Sequence, residues 1–342
     1  MKAIQIENIK EIHLVEVEEP EVRQNYSKIK VLSMGVCGSD VHAYAGKSPN
    51  VTYPVIIGHE IVGEIVEIGA GDNPNNLKVG DRVVLNPYLS CGECYPCRQG
   101  RTNACTHLRC LGVQTDGAMS EYFVHPTAMM IRIPDSIDDV LGAVIEPTVI
   151  ALHALHTVEG KAGEHIVIIG AGCIGLLTAL VAKAKGMHVI VADVVDERLK
   201  IAQKMGVDGT VNPIQENASD KISKLTQGRM AECVCEMSGS TAGVRNTLDY
   251  AAATGRIALT GWPDQSVELP TAMITRKELQ IRGSRTGVNA EFEEVVALIQ
   301  EGKIDPRKVV SRVGRFSELP AMIAELERNP GSAIKLIAVA EK

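Results

Sequence analysis

The chain has 342 residues, a formal net charge of −7 at pH 7, and 45% hydrophobic but only 3% aromatic residues. That length and apolar content suffice for a sizeable core divided between two domains and filled by Val, Ile, Leu and Ala, while the acidic balance and the lack of a basic stripe argue against a nucleic-acid backbone as partner. No apolar stretch is long enough to span a bilayer, and Met1 to Lys10 lacks the apolar run behind basic residues that marks a secretory signal, so a cytoplasmic, reducing location without membrane partners is expected.

In chain order, the first third is strand-rich. The acidic run Glu16 to Glu21 reads as a solvated face. Ile29 to Ser33, Ile61 to Ile68 and Arg82 to Asn86 are short β-branched runs, separated by turns such as Gly69-Ala70-Gly71-Asp72 and Gly80-Asp81. They suggest a barrel-like β domain. Cys91, Cys94, Cys97 and Cys105 follow with the spacing Cys-x2-Cys-x2-Cys-x7-Cys, close enough to enclose one tetrahedral zinc. A metal with all four positions filled by sulfur admits neither water nor substrate, so this site would be structural. Two disulfides or a cysteine-rich surface loop are the alternatives.

From about Glu164 the rhythm changes to alternating strand and helix, the pattern of a parallel sheet covered on both faces. His165 to Ile169 reads as a strand. Cys173, Leu176, Leu177, Leu180, Val181 and Ala184 recur at helical spacing, and Val189 to Ala192 returns to strand. Further strands are expected at Cys233 to Met237, Arg256 to Thr260 and Leu279 to Arg282, a helix at Phe292 to Glu301, and mixed structure from Val309 on. Between the first strand and first helix lies Gly170-Ala171-Gly172-Cys173-Ile174-Gly175, a G-x-G-x-x-G turn, with Asp193 eighteen residues beyond Gly175 at the next strand end. The glycines permit a tight turn and close approach to a pyrophosphate at the helix N-terminus. Asp193 would accept hydrogen bonds from ribose hydroxyls and repel a 2′-phosphate, which favours NAD over NADP; an ordinary turn and a surface carboxylate are the plainer readings.

A dinucleotide site beside a metal lobe prompts a search for a second, open metal site. Cys37-Gly38-Ser39-Asp40-Val41-His42, Gly58-His59-Glu60 and Glu146-Pro147 supply a thiolate, an imidazole and two carboxylates, and catalytic zinc ordinarily takes three protein ligands plus water. These blocks, the four-cysteine lobe, Gly117 to Tyr122 and the glycine turn occur in one order along nearly the whole chain. In that order the chain resembles the zinc-containing medium-chain dehydrogenases.

The resemblance implies an α/β architecture: a GroES-like β-rich catalytic domain at 1–149 and 287–342, with the zinc lobe at about 88–110, around a Rossmann NAD-binding domain at 150–286 with a doubly wound parallel sheet. It implies two zinc ions per chain, NAD, a small hydroxylated substrate and a homo-oligomer, dimer or tetramer. Cys37, His59 and Glu60 match catalytic-zinc ligands, with Glu146 either a fourth ligand or a neighbour of the metal. A cysteine stands at the Glu146 position in the alcohol dehydrogenase branch, so glutamate here is similar to the polyol and threonine branches. Ser39 and His42 match a proton relay, Asp40 a carboxylate that orients a ligand histidine. Gly170, Gly172, Cys173, Ile174, Gly175, Asp193 and Arg198 match cofactor contacts. His107, His153 and His156 lie outside the matched blocks, and Cys110, Cys173, Cys233 and Cys235 lack metal spacing and are expected to be buried thiols.

Tyr44, Tyr53, Glu146 and Arg285 resemble cleft-lining positions of sorbitol-type relatives, so a polyol or sugar acid is favoured. Gly100-Arg101-Thr102-Asn103 and Gly283-Ser284-Arg285 are similar to L-galactonate and L-gulonate 5-dehydrogenases. L-threonine 3-dehydrogenase and 2,3-butanediol dehydrogenase share the metal pattern, and Arg285 could instead be structural or contact the cofactor. A zinc-independent quinone-reductase-like enzyme or a nucleotide sensor would leave Cys37, His59, Glu60 and Glu146 unexplained.

Overall fold

The computed structural model describes residues 1–341. They divide into two compact units, one formed by Met1–Glu146, Gly287–Gly302 and the chain from Val309 on, the other by Pro147–Thr286 and Lys303–Lys308.

The first unit is β-rich. Its main sheet runs in the order Met130–Arg132, Arg82–Leu85, Glu60–Ile68, Tyr26–Val36, Lys335–Val339, Val310–Arg315, and Tyr122–Pro126 also pairs with Tyr26–Val36. All these ladders are antiparallel except the last, where Val310–Arg315 runs parallel to Lys335–Val339. The C-terminal strand thereby enters the sheet beside a strand from the N-terminal third. Lys2–Asn8, Glu11–Glu16 and Val55–Ile56 form a second sheet. Ile4, Ile6, Ile29, Ile57, Ile61, Ile65 and Met119 lie in the core between these elements, aliphatic as the composition required. Two register shifts in the long pairing of Tyr26–Val36 with Glu60–Ile68 end with Gly35 opposite Glu60, which fixes where the carboxylate of Glu60 stands.

The second unit is a six-stranded, fully parallel sheet in the order Gly209–Val211, His188–Ala192, His165–Ile169, Ala231–Glu236, Ala251–Leu259, Gln280–Gly283. Counted along the chain this is the Rossmann order 3-2-1-4-5-6, whose reversal between first and fourth strands opens a crevice at their carboxyl ends. Every residue of His165–Ile169 is buried, as a central parallel strand requires. The helix Cys173–Ala184 departs from the one-sided stripe its spacing suggested. Gly175 through Ala182 are all buried, because small residues let neighbours pack around the helix. Ser240 caps the helix Thr241–Tyr250 by accepting the Gly243 N–H at 2.9 Å. No helix among the described residues is long and apolar enough to cross a membrane.

Candidate functional site

The four-cysteine lobe projects from a short hairpin, Tyr88–Leu89 paired with Arg109–Cys110. Pro96 starts the single helical turn Tyr95–Arg98, which folds the chain tightly enough to bring Cys94 and Cys97 together. All four thiols are free. Their sulfurs lie 3.4 Å apart for Cys94 and Cys97, 3.5 Å for Cys91 and Cys105, and 3.8 Å for Cys94 and Cys105. A zinc tetrahedron with bonds of about 2.3 Å sets its sulfurs about 3.8 Å apart, so the set fits a closed zinc and not a pair of disulfides. Backbone N–H groups of Cys91 and His107 donate to the Cys105 sulfur at 3.3 Å. Amides of Cys97 and Thr106 hold the Cys94 thiol below its ordinary range, which favours a thiolate ready for metal.

The second group is assembled by the sheet of the same unit. Cys37 directly follows the strand Tyr26–Val36 and caps the helix Gly38–Tyr44, where its N–H donates to Asp40 Oδ2 at 2.9 Å. Glu60 opens the neighbouring strand Glu60–Ile68, and His59 stands immediately before it. The donor atoms of Cys37, His59 and Glu60 all lie within 4.8 Å of one another. A side chain at position 35 would strike the Glu60 carboxylate, so glycine is required there. His59 Nδ1 and Asp40 Oδ1 are buried without hydrogen-bond partners. Burial works against a charged His59, yet Cys37, Cys110 and Asp40 together raise its pKa well above the usual value. A buried cluster whose field draws positive charge, with soft and hard donors converging, fits a divalent zinc.

Three details extend the sequence reading. Glu60 is engaged from behind: Lys335 Nζ donates to both carboxylate oxygens, at 2.7 and 2.8 Å, and to the Val36 carbonyl at 3.0 Å. Glu146, in the first turn of the helix Ile145–Thr157, lies outside the three-residue donor group and takes a hydrogen bond from the hydroxyl of buried Tyr88. Burial raises its carboxyl, with His59 pulling down and Glu60 pushing up. Cys110, assigned no partner from spacing, shares this environment: burial first, then the charges of Glu146, Cys37 and Asp40, push its thiol up to about 12 against the opposing pull of His59. Cys233 and Cys235 are buried as expected, whereas Cys110 and Cys173 are half-buried. Asp40 braces the backbone of Cys37; its hydrogen bond does not go to His59, as the resemblance implied.

Ser39 and His42 lie one helical turn apart on Gly38–Tyr44. The Ser39 hydroxyl is buried without a partner, and His42 is exposed. Tyr44 and Tyr53 pack partly buried against the core, and Tyr53 donates its hydroxyl to the Ala43 carbonyl at 2.5 Å.

In the second unit the glycine turn occupies the crevice. Gly170 has φ of +102°, a side chain on Gly175 would collide with the Gly170 carbonyl, and the space beside Gly172 is open. The turn can therefore bring backbone against a pyrophosphate at the N-terminus of Cys173–Ala184, where Cys173 and Ile174 form the first turn. Asp193 is buried and already committed on one side: Oδ2 accepts the Ala171 N–H at 2.6 Å and Oδ1 the Val195 N–H at 2.8 Å. Each carboxylate oxygen retains a lone pair for a ribose hydroxyl. A cavity of about 510 Å³ is lined by Gly170, Gly172, Asp193, Arg198, Ser238 and Ser240.

Glu236 went unnoticed in the sequence. It is fully buried beneath the Ser238–Ser240 turn, where it accepts from the Ser238 N–H at 2.8 Å, from the Gly239 N–H at 3.1 Å and from the Ser238 hydroxyl. A carboxylate closing the apolar strand Ala231–Glu236 was the available signal. Arg285 is exposed after the strand Gln280–Gly283, its guanidinium 5.8 Å from the Trp262 ring centre.

Comparison with known proteins matches residues 23–135 to the alcohol dehydrogenase GroES-like domain and residues 173–301 to the zinc-binding dehydrogenase domain. A Haemophilus influenzae protein described as an uncharacterized zinc-type alcohol dehydrogenase-like protein is 46% identical over 99% of this chain and 98% of its own. The L-galactonate-5-dehydrogenase of Escherichia coli K12 is 34% identical over 91% of this chain and 90% of its own. The solved structure of an alcohol dehydrogenase from Escherichia coli CFT073 complexed with NADH superposes with a TM-score of 0.92 at 32% identity, covering 99% of both chains. With both domains matched and relatives aligned end to end, the chain belongs to the zinc-containing medium-chain alcohol and polyol dehydrogenases.

Proposed function

We propose that this dehydrogenase oxidises a secondary hydroxyl of a polyol or sugar acid, in the manner of an L-galactonate or L-gulonate 5-dehydrogenase, with NAD as acceptor. We assign the catalytic domain to 1–149 with 287–342 and the cofactor domain to 150–286. We place the enzyme in a reducing cytoplasm, where the lobe thiols stay free for metal. The observation that carries the reading is the convergence of Cys37, His59 and Glu60, with Glu146 adding a second carboxylate to the same buried environment.

In this reading Cys37, His59 and Glu60 hold the catalytic zinc and Cys91, Cys94, Cys97 and Cys105 the structural one. When bound, zinc would supply Lewis acidity to the substrate hydroxyl and NAD would supply the hydride acceptor. Asp40 fixes the backbone of Cys37. Lys335 neutralises Glu60 from behind and sets its orientation. Ser39 takes the hydroxyl proton within the dry site, and His42, exposed one turn further along the helix, passes it to solvent. Gly170, Gly172 and Gly175 cradle the pyrophosphate together with the amides of Cys173 and Ile174. Asp193 binds the adenosine ribose, with Arg198 beside it, and its charge disfavours a 2′-phosphate.

Glu146, a buried carboxylate in the environment of Cys37, His59 and Glu60, favours a substrate with several polar groups, since a buried polar group left unpaired by a plain alkyl alcohol costs about 1–3 kcal/mol. Relatedness to the L-galactonate enzyme supports the sugar-acid branch. Threonine or 2,3-butanediol is the alternative substrate.

The test combines metal analysis with an NAD-linked panel of polyols, aldonates, threonine, butanediol and simple alcohols. Two zinc ions per chain and preference for a hydroxyl-flanked secondary alcohol are expected, and Cys37→Ala should lose one zinc and nearly all turnover. Full zinc and a normal rate in that variant would overturn the ligand assignment. Ethanol or 2-propanol oxidised as efficiently as the best polyhydroxylated compound would overturn the substrate class.

A further inference from the structure

Tyr88 opens the hairpin that carries the four-cysteine lobe, and it is only 6% exposed. The residues that fix it belong to the same compact unit as the donor group. Its N–H donates to Asn86 Oδ1 at 3.1 Å, and Cys110 stands opposite it across the hairpin. Asn86 is held in turn. Its carbonyl lies 2.9 Å from His125 Nε2, and its side-chain amide donates to Asn289 Oδ1 at 2.7 Å. A phenol hydroxyl buried this deeply needs a partner, and the one it finds is Glu146 Oε1.

That partner lies next to the candidate metal site. The donor atoms of Cys37, His59 and Glu60 converge, and Glu146 is not of their group although it is buried and shares the field of His59 and Glu60. A carboxylate beside a divalent cation is drawn onto it unless something opposes the pull. Were Glu146 to join the set, it would fill the fourth position of a tetrahedral zinc and close the site, as four thiolates close the lobe. Glu60 meets a charged partner, Lys335, on the side away from the donor group. Glu146 meets a neutral hydroxyl on a firmly mounted ring.

We propose that Tyr88 is a positioning residue that withholds Glu146 from the catalytic metal. By engaging Oε1, its hydroxyl keeps the metal at three protein ligands with one position open, and leaves lone pairs of Glu146 for hydroxyls of the substrate. This inference rests on the assignment of Cys37, His59 and Glu60 as ligands and deepens it.

The experiment uses the full chain with zinc retained in the cysteine lobe and cobalt exchanged into the catalytic site. Imidazole, a small ligand for an open metal position, is the probe. Relative to the parent, Tyr88→Phe should bind cobalt about tenfold more tightly in competition with a chelator and lower kcat about tenfold with KM within about threefold. Its cobalt absorption bands should shift and lose their response to imidazole. Adding Glu146→Gln to Tyr88→Phe should restore the parent bands and the imidazole response, because no carboxylate remains to close the position.

Parent-like affinity and bands in Tyr88→Phe overturn the proposal, and so does a shift that persists in the double variant. If Tyr88→Phe does not fold, Glu146→Gln alone decides: its resting bands should match the parent, and shifted bands would show that Glu146 is already a ligand. Cys37→Ala separates the two levels of the argument. If it takes up cobalt as the parent does, the ligand assignment fails and the role of Tyr88 with it. If it loses the metal while Tyr88→Phe behaves as the parent, the ligand assignment stands and the role of Tyr88 alone is wrong.

Discussion

At the scale of single residues, the buried pairing of Lys335 with Glu60 carries a large energetic consequence. Both groups are buried, and the ammonium spends its donors on two carboxylate oxygens and one carbonyl. Removing one member of a buried pair leaves an uncompensated charge, which costs about 3–5 kcal/mol. Lys335→Met should therefore destabilise the zinc-free protein by about that amount, measured by urea denaturation, with a smaller loss in the zinc-loaded protein because a nearby cation also compensates Glu60. Adding Glu60→Gln to Lys335→Met should recover part of the loss. Additive losses in the double variant would contradict a coupled pair.

At the scale of elements, the nucleotide crevice depends on two turns held by carboxylates at strand ends. Asp193 ties the glycine turn through the Ala171 amide, and Glu236 ties the Ser238–Ser240 turn through two amides and a hydroxyl. An ionised carboxylate accepting backbone N–H groups makes stronger bonds than a neutral amide can. Glu236→Gln keeps the volume but turns one acceptor oxygen into a donor facing those N–H groups. The Ser238–Ser240 turn should loosen and NADH binding weaken roughly tenfold by titration, about 1.4 kcal/mol, with zinc content unchanged. An unaltered NADH affinity would show that the turn holds its shape without the charge.

At the scale of the whole molecule, a buried histidine of the β-rich unit contributes to acid sensitivity. His125 is buried in the β-rich unit with Nε2 2.9 Å from the Asn86 carbonyl. Burial lowers its pKa to about 4 from an ordinary 6.5. Above pH 6.5 the imidazole is neutral in folded and unfolded chains alike, and its contribution to stability is fully present. As pH falls from 6.5 to 4 the unfolded chain binds a proton that the folded chain refuses, so stability declines, by about 3 kcal/mol across the window, and levels off below it. His125→Gln, which can still donate to Asn86, should flatten the pH dependence of the denaturation midpoint over that range. An unchanged slope would assign acid sensitivity to other groups.

Local spacing made much of this protein legible. Four cysteines within fifteen residues can converge whatever surrounds them, and a glycine turn between an apolar strand and a helical repeat carries its conformation in the chain itself. Alternating strands and helices determined the parallel sheet in the same way, because each element is specified by its own periodicity. What tertiary structure decided are the partners of buried polar groups. Lys335 reaches Glu60 across 275 residues because the C-terminal strand enters the sheet beside Tyr26–Val36. Tyr88 meets Glu146, Cys110 joins the field around His59, and Trp262 faces Arg285 through register and topology that no short window of sequence contains. Donor types are fixed by residue identity, but desolvation and charge pairing depend on distances in space, so the groups that tune the site became visible only once the chain was folded.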